Sequence, residues 1–238
     1  MSKPMYACPP GWETCTLAPN RALDCITACD SGGTPSTSVD EYWGGPVPWL
    51  TPKEITRNNA GIFVSHTERS ITQIGVEQSA AKLLPVGTVM LTKRAPVGAV
   101  AINAVPMTTN QGFLNFRCGS RLRPLFLAHW LRSNTEYLQQ VANGSTYREL
   151  YQTDLFEFEV AVPPVNVQDE IIRAISSLTF LSLLGPAMEQ SMSDPSRMLE
   201  IQNQDRSLRQ FIRRLTRELL SGRISPQLKS LSALGGLA

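Results

Sequence analysis

Cysteine and histidine are the residue types of this 238-residue chain that could bind a metal or act as catalytic groups. Zinc sites use close pairs such as Cys-x-x-Cys, whereas six, nine and three residues separate the first four cysteines. A nucleophilic thiol needs a neighbouring base, and the sequence places neither histidine beside a cysteine. We therefore expect no metal site and no catalytic thiol, and we expect reduced cysteines in the cytoplasm. The residues concerned are Cys8, Cys15, Cys25, Cys29, Cys118, His66 and His129.

The chain also lacks the local motifs of nucleotide, cofactor and hydrolase chemistry. No Gly-x-Gly-x-x-Gly opens a predicted helix, and neither a phosphate-binding loop, a His-Glu-x-x-His nor a Gly-x-Ser-x-Gly sequence occurs. The acidic residues are spread along the chain rather than paired. We therefore expect no catalytic residues and no cofactor, and a binding protein rather than an enzyme.

Basic residues supply the candidate binding chemistry. The chain has 22 Lys and Arg against 20 Asp and Glu, so its net charge of +2 gives no overall attraction to polyanions. Residues 93–148, however, include seven basic residues and one acidic residue. Backbone phosphates require cations concentrated on one face, so this segment predicts a phosphate-binding surface, and scattered solvated charges are the alternative. The basic residues are Lys93, Arg94, Arg117, Arg121, Arg123, Arg132 and Arg148.

Two predicted strands position the first of these cations. Apolar runs at 87–92 and 97–102 are typical of strands, and the connection between them contains Lys93 and Arg94. Such a turn either presents its two cations to a ligand or forms a solvated hairpin tip. The sequence leaves both interpretations open.

A predicted helix leads into a second polar loop. Pro124 is suited to open this helix and Gly144 to end it. The loop 144–148 then carries hydroxyl, aromatic and guanidinium groups, which bind phosphates or base edges. A helix cap is the alternative interpretation of the same residues.

The C-terminal region has the most regular apolar spacing in the chain. Steps of three and four residues continue over three heptads, which predicts a coiled-coil seam rather than the broader stripe of a packed helix. Arginines cover the rest of this helix, either as a solvated face or as a contact for DNA or an acidic partner. The seam is Met198, Ile201, Asp205, Leu208, Ile212, Leu215 and Leu219, of which the last four are the predicted dimerisation residues.

Composition divides the chain near Pro163-Pro164. Most Gly, Pro, Trp and Tyr residues precede this point, and Leu, Ile, Gln and Arg at helical spacing follow it. A charged fraction of 18% is lower than the roughly 25% of an average protein, which favours a chain that works inside an assembly. No apolar run reaches the ~18 residues of a membrane span, so we expect no membrane partner.

Several segments together resemble one protein family. In chain order these are Gly32-Gly-Thr-Pro-Ser36, Glu41-Tyr-Trp-Gly-Gly-Pro-Val-Pro-Trp-Leu-Thr51, Gly87-Thr-Val-Met-Leu-Thr-Lys-Arg-Ala-Pro-Val-Gly98, Thr109-Asn-Gln-Gly-Phe113, Gly144-Ser-Thr-Tyr-Arg-Glu-Leu150, Val162-Pro-Pro164 with Gln168, and Leu219-Leu-Ser-Gly-Arg-Ile224. The pattern resembles the specificity subunit of type I restriction-modification systems. It covers the chain from about Gly11 to Ile224.

The resemblance implies an α+β fold in which a target recognition domain, with a twisted mixed β-sheet and packed helices, precedes a long coiled-coil spacer helix. The recognition domain would span 1–165, the helical spacer 166–224, and a tail 225–238. In this family the subunit performs no chemistry. It binds double-stranded DNA and methyltransferase subunits, which carry S-adenosylmethionine, and the full complex adds restriction subunits.

Two features depart from the family pattern. Family members usually contain two recognition domains and two spacer helices, whereas this chain has one of each, so we expect a homodimer that reads an interrupted palindrome. The seam spans roughly 32 Å at 1.5 Å per residue, close to one turn of DNA. Gly and Pro at 185–186 and 193–196 should also divide the spacer into a short helix, 166–183, a loop, and a long helix, 196–222.

Residues matched to the family segments are the predicted DNA contacts. Such segments can also mark the scaffold, and residues within 53–59 or 117–123 are then the alternative base readers. The alternative function is an interaction fragment that binds the methyltransferase and modulates its specificity without reading DNA. The predicted DNA-binding residues are Lys93, Arg94, Asn110, Gln111, Thr146, Tyr147 and Arg148.

Overall fold

A computed structural model describes residues 8–19, 24–57, 61–94, 96–142, 149–189 and 210–223. The chain divides into two compact units. The first holds the described residues from Thr14 to Val162, and the second holds residues 8–13 with the described residues from Pro163 onward. The first unit ends at Val162, whereas the predicted recognition domain spans 1–165, and residues 8–13 belong to the second unit. The predicted domain limits stay predictions.

A five-stranded sheet forms the centre of the first unit, in the order β2-β9-β6-β7-β4. Neighbouring strands are antiparallel except β4 and β7, which are parallel. All four residues of β6 and of β7 are buried, and these strands confirm the predicted pair on either side of Lys93. The strands are β2 (Ile26–Ser31), β4 (Phe63–Val64), β6 (Val89–Thr92), β7 (Val100–Asn103) and β9 (Phe113–Cys118).

Two smaller sheets complete the unit. One has the order β5-β3-β8, with β3 antiparallel to β5 and parallel to β8. The other pairs β1 with β10. The strands are β1 (Glu13–Thr16), β3 (Trp43–Leu50), β5 (Arg69–Ile71), β8 (Thr108–Thr109) and β10 (Glu159–Val162).

Short helices connect and cover these sheets. The helix predicted from Pro124 begins there, but it ends at Ser133, and a second helix begins at Thr135. Asn134 separates them with ψ near 14°, and its side-chain Nδ2 donates to the carbonyl oxygen of Trp130 at 2.8 Å. The helices are α1 (Pro52–Arg57), α2 (Gln73–Glu77), α3 (Pro124–Ser133), α4 (Thr135–Val141) and α5 (Gln152–Phe156).

The second unit contains α6 (Val165–Glu189). The prediction that this helix breaks at Gly185-Pro186 is wrong, because α6 continues to Glu189. Pro186 has no backbone N–H, so α6 lacks one intrahelical hydrogen bond there but continues through this position. The second predicted break, at 193–196, lies outside the described residues.

A further helical segment comprises residues 210–220, and a turn that contains Gly222 follows it. Gly222 has φ of +68°, and a Cβ atom there would lie 2.5 Å from Cγ of Pro9 and 3.0 Å from Cζ2 of Trp12. This packing places residues 8–13 in the second unit. Among the described residues, no helix is long and apolar enough to cross a membrane.

Candidate nucleic-acid interface

Three of the predicted segments meet at the end of β6. The backbone N–H of Lys93 donates to the carbonyl oxygen of Gly112 at 2.8 Å, and the N–H of Leu150 donates to the carbonyl oxygen of Lys93 at 2.8 Å. Arg94 and Glu149 form an isolated antiparallel bridge. The turn after β6 therefore contacts both the loop at 110–112 and the residues that follow loop 144–148.

The two predicted residues of the loop at 110–112 have different surroundings. Asn110 is half-buried, its N–H donates to the carbonyl oxygen of Leu50 at 3.0 Å, and its Oδ1 accepts from the N–H of Gly112 at 2.8 Å. Gln111 is exposed, and its side-chain oxygen accepts a hydrogen bond from the Thr34 hydroxyl. Asn110 thus shapes the loop, while Gln111 lies at the surface.

Two glycines allow this loop to approach the segment before β3. The N–H of Gly33 donates to the carbonyl oxygen of Thr109 at 2.9 Å, and a Cβ at Gly32 would overlap the backbone oxygens of Thr109 and Asn110. The indole N–H of Trp49 also donates to the carbonyl oxygen of Gly33 at 2.9 Å. Segments that the sequence separates by dozens of residues therefore form one surface.

Glu149 pairs with both cations of the turn. Its Oε1 lies 3.1 Å from Nζ of Lys93, and its Oε2 lies 3.9 Å from a terminal nitrogen of Arg94. The Lys93 side chain is 18% exposed and the Arg94 side chain 41% exposed. Arg94 is thus the more accessible cation, and Glu149 reduces the positive charge of the turn.

A second carboxylate neutralises cations at the other end of β6. Asp30 lies 2.6 Å from Nζ of Lys82 and 3.0 Å from a terminal nitrogen of Arg117. Arg117 follows Phe116, which pairs with Val89 at the start of β6. Lys93 and Arg94 therefore lie at one end of β6, and Arg117 lies near the other end. Asp30 and Glu149 both lie outside residues 93–148. Counting charges within that segment alone therefore overestimated the positive charge of the folded surface.

Sequence reasoning missed an aromatic cluster beside these segments. The guanidinium carbon of Arg69 lies 3.6 Å from the ring centre of Trp43, and the rings of Trp43 and Trp49 meet edge to face at 5.1 Å. Arg69 is exposed, so its guanidinium is held flat at the surface by the ring beneath it. The two tryptophans of the segment 41–51 were the available signal, since they share one side of a strand.

Three of the five thiols are poorly suited to nucleophilic attack or metal binding. A hydrogen bond to Cys25 and burial raise the pKa of the Cys15 thiol far above its usual range. Burial raises the pKa of Cys29 and of Cys118 to about 12. These thiols stay protonated at neutral pH, whereas nucleophiles and metal ligands are thiolates. No group of three or more metal-ligating side chains occurs among the described residues.

Several predicted residues cannot be placed on this surface. Thr146, Tyr147 and Arg148 of the polar loop, and Leu208 of the seam, lie outside the described residues. Of the other three predicted dimerisation residues, Ile212 and Leu219 are buried within the single chain and Leu215 is half-buried.

Comparison with known proteins gives a family for this arrangement. Residues 21–182 match the family model of the type I restriction modification DNA specificity domain. The type I restriction enzyme MjaIX specificity subunit of Methanocaldococcus jannaschii is 41% identical over 147 residues, which are 61% of this chain and 34% of that protein. The EcoR124I/EcoR124II specificity subunit of Escherichia coli is 27% identical over 158 residues, which are 63% of this chain and 38% of that protein.

Solved structures share the fold. The crystal structure of the HsdS subunit from Thermoanaerobacter tengcongensis superposes with a TM-score of 0.56 at 16% identity, over 93% of this chain and 47% of that one. A chain from a study of complex assembly in the type I R-M system gives the same TM-score at 17% identity, over 93% of this chain and 48% of that one. The chain therefore spans about a third of the curated relatives and about half of the solved structures. With its family model matching more than half of its residues, the chain belongs to the type I restriction modification DNA specificity domain family.

Proposed function

We propose that this chain is the DNA-reading subunit of a type I restriction-modification complex. The observation that carries the proposal is the convergence of the Lys93–Arg94 turn, the loop at 110–112 and Glu149 on one surface of a domain from this family. Lys93, Arg94 and Gln111 supply cationic and amide groups there, which bind phosphates and base edges. Thr146, Tyr147 and Arg148 belong to the loop that precedes Glu149 in the sequence, and Glu149 reaches the same turn.

The chain itself performs no catalysis in this proposal. It binds no cofactor and no metal, and S-adenosylmethionine is bound by a partner methyltransferase subunit that the chain positions on DNA. A restriction subunit can join the same complex. The names of the curated relatives, all specificity subunits of type I restriction enzymes, support this division of labour.

We further propose that two copies act together and read an interrupted palindrome. The aligned residues span about a third of the curated specificity subunits. A two-fold axis between two copies would supply a second reader in the opposite orientation. The predicted coiled-coil seam of Leu208, Ile212, Leu215 and Leu219 would join the copies. Because Ile212 and Leu219 are already buried in the single chain, their pairing requires the covering residues to move aside.

The proposal is tested by duplex binding. Reversing the charge of the turn with Lys93→Glu and Arg94→Glu should weaken binding to all sequences and lower the salt dependence, because both cations face backbone phosphates. The matched control is Arg173→Glu, an exposed arginine of α6. Electrophoretic shift over a range of salt concentrations gives both quantities. Unchanged binding in the turn variants would refute this surface as the contact.

One observation favours the alternative, an interaction fragment that binds the methyltransferase without reading DNA. Glu149 already pairs with Lys93 and Arg94, the two cations of the candidate surface, which weakens its attraction for phosphates. The alternative predicts that the chain binds the purified methyltransferase subunit but does not shift random or cognate duplex, alone or in that complex.

A further inference from the structure

The helical segment 210–220 is amphipathic, with its charge on one side. Ile212, Leu219 and Leu220 are buried, whereas Arg213, Arg214 and Arg217 are exposed. A helix turns about 100° per residue, so the three arginines fall within one arc of roughly 100°. Ile212 and Leu219 lie away from this arc, and Leu220 lies at its edge, next to Arg213. The three arginines form a row along the helix, which we call the arginine row.

The arginine row borders an open groove of about 530 Å³. Among the described residues that line it, none is apolar. Its one acidic residue, Glu218, is 2.8 Å from Nε of Arg223 and is engaged by that pair. Of the residues that the structure describes, none forms an ion pair with the arginine row. The lining residues are Gln210, Arg213, Arg214, Arg217, Glu218 and Arg223.

We propose that the arginine row binds the phosphate backbone of duplex DNA, at a place separate from the candidate surface of the first unit. The inference rests on the proposed DNA-reading function and extends it to the second unit. Arg213 and Arg217 are one helical turn, about 6 Å, apart along the axis. A duplex presents about one negative charge per 1.7 Å of its axis, so neighbouring phosphates are available to each guanidinium.

The composition of the groove favours DNA over an acidic protein surface. Protein–protein interfaces have an apolar core with aromatic anchors, and the described lining of this groove has neither. Interfaces with DNA are more polar and much more positively charged. Arginine also offers a planar fork that matches a phosphate group, and it keeps its charge in every physiological condition.

The inference is tested by the salt dependence of binding of the full chain to random duplex. The slope of log K against log salt is negative, and each lost phosphate contact reduces its magnitude by about 0.9. Arg217→Gln should therefore reduce the magnitude of the slope by about one. The double variant Arg213→Gln/Arg217→Gln should reduce the magnitude of the slope by about two. Between 50 and 200 mM salt, the affinity of this variant should therefore fall by about tenfold less than that of the original chain.

Two controls distinguish the loss of a phosphate contact from the loss of one positive charge anywhere on the unit and from misfolding of the variant. Arg173→Gln removes an exposed arginine of the same unit and should leave the slope unchanged. Arg213→Lys/Arg217→Lys keeps both charges and should retain the slope of the original chain. Equal losses in Arg217→Gln and Arg173→Gln, or an unchanged slope in the double variant, would overturn the inference.

The outcomes distinguish this inference from the proposed function. If the double variant keeps the slope while Lys93→Glu/Arg94→Glu loses it, the first-unit surface stands and the arginine row is not a DNA contact. The opposite pattern would leave the arginine row standing and remove the turn. Loss of methyltransferase binding without a change of slope would identify the arginine row as a protein-docking surface, and absence of any duplex binding would overturn both proposals.

Discussion

At the scale of single residues, Glu149 is the group that controls the charge of the candidate surface. It lies within 3.1 Å of Lys93 and 3.9 Å of Arg94, and its side chain is 25% exposed. A carboxylate in this position orients both cations and also competes with a phosphate for them. Its effect on DNA binding therefore has a definite sign.

Replacing Glu149 with Gln should strengthen binding to random duplex and steepen its salt dependence. The change frees two cations while the bridge between residues 94 and 149 stays in place, because that bridge uses backbone atoms. Fluorescence anisotropy with labelled duplex measures the effect. Glu157→Gln, at an exposed acid of the same unit, controls for the gain of one positive charge. Equal effects of the two substitutions would show that Glu149 does not mask a contact.

Gly32 should be among the least replaceable residues of the first unit. A Cβ atom there would overlap the backbone of Thr109 and Asn110, and a backbone cannot rotate away as a side chain can. We expect Gly32→Ala to destabilise the chain by about 3 kcal/mol, the upper part of the range for overpacking. Denaturant unfolding measures this loss.

The matched substitution is Gly87→Ala. Gly87 has φ of +83° and open space around the position of a Cβ atom, so only backbone strain of about 1 kcal/mol is expected. If both variants lost the same stability, close packing between 32 and 109–110 would not be what requires glycine.

The sequence predicted the positions of single residues in local elements better than it predicted contacts between distant residues. Lys93 and Arg94 were correctly placed at a turn between two strands, because alternating turn and apolar residues are local signals. Their pairing with Glu149 was not predicted, since that contact links residues more than 50 positions apart. Arg69 on Trp43 was missed for the same reason: β5 and β3 become neighbours only in the folded sheet.

At the scale of elements, α3 shows where local patterns fail. Its start at Pro124 is a local signal and was predicted. Its end at Ser133 was not, because Asn134 has no special position in the apolar pattern and acts through a hydrogen bond to Trp130. The opposite error occurred in α6. Gly185 and Pro186 predicted a break, but the helix continues through both residues.

The packing of α3 on the sheet also gives a pH dependence. Burial, with a smaller contribution from Arg132, lowers the pKa of His129 from 6.5 to about 4. The unfolded chain then binds a proton more readily than the folded chain. Stability should be unaffected well above pH 6.5, and it should fall as the pH drops from 6.5 toward 4, by up to about 3 kcal/mol.

His129→Gln should remove this part of the pH dependence. The measurement is the free energy of unfolding between pH 7 and pH 4.5 for the original chain and the variant. The chain has two histidines, and the exposed His66 supplies the control, His66→Gln, which should keep the original dependence. A parallel pH dependence in His129→Gln and the original chain would mean that His129 is not buried in its neutral form.

At the scale of the whole molecule, the proposed pairing of two chains has the largest functional consequence. The aligned residues are about a third of each curated relative, and the chain contains one β-rich unit followed by one helical unit. A single reader contacts a single half-site, so a split target requires a second reader. In the proposed homodimer, the second copy supplies this reader and imposes two-fold symmetry on the target.

The central claim is therefore best tested by mapping DNA methylation in cells that produce this chain with its methyltransferase subunit and no other specificity subunit. We predict methylation at one interrupted palindrome with half-sites about one helical turn apart, and its loss in the Lys93→Glu/Arg94→Glu variant. Methylation at a target without two-fold symmetry would contradict the homodimer. No methylation that depends on the chain would contradict its role as the DNA-reading subunit.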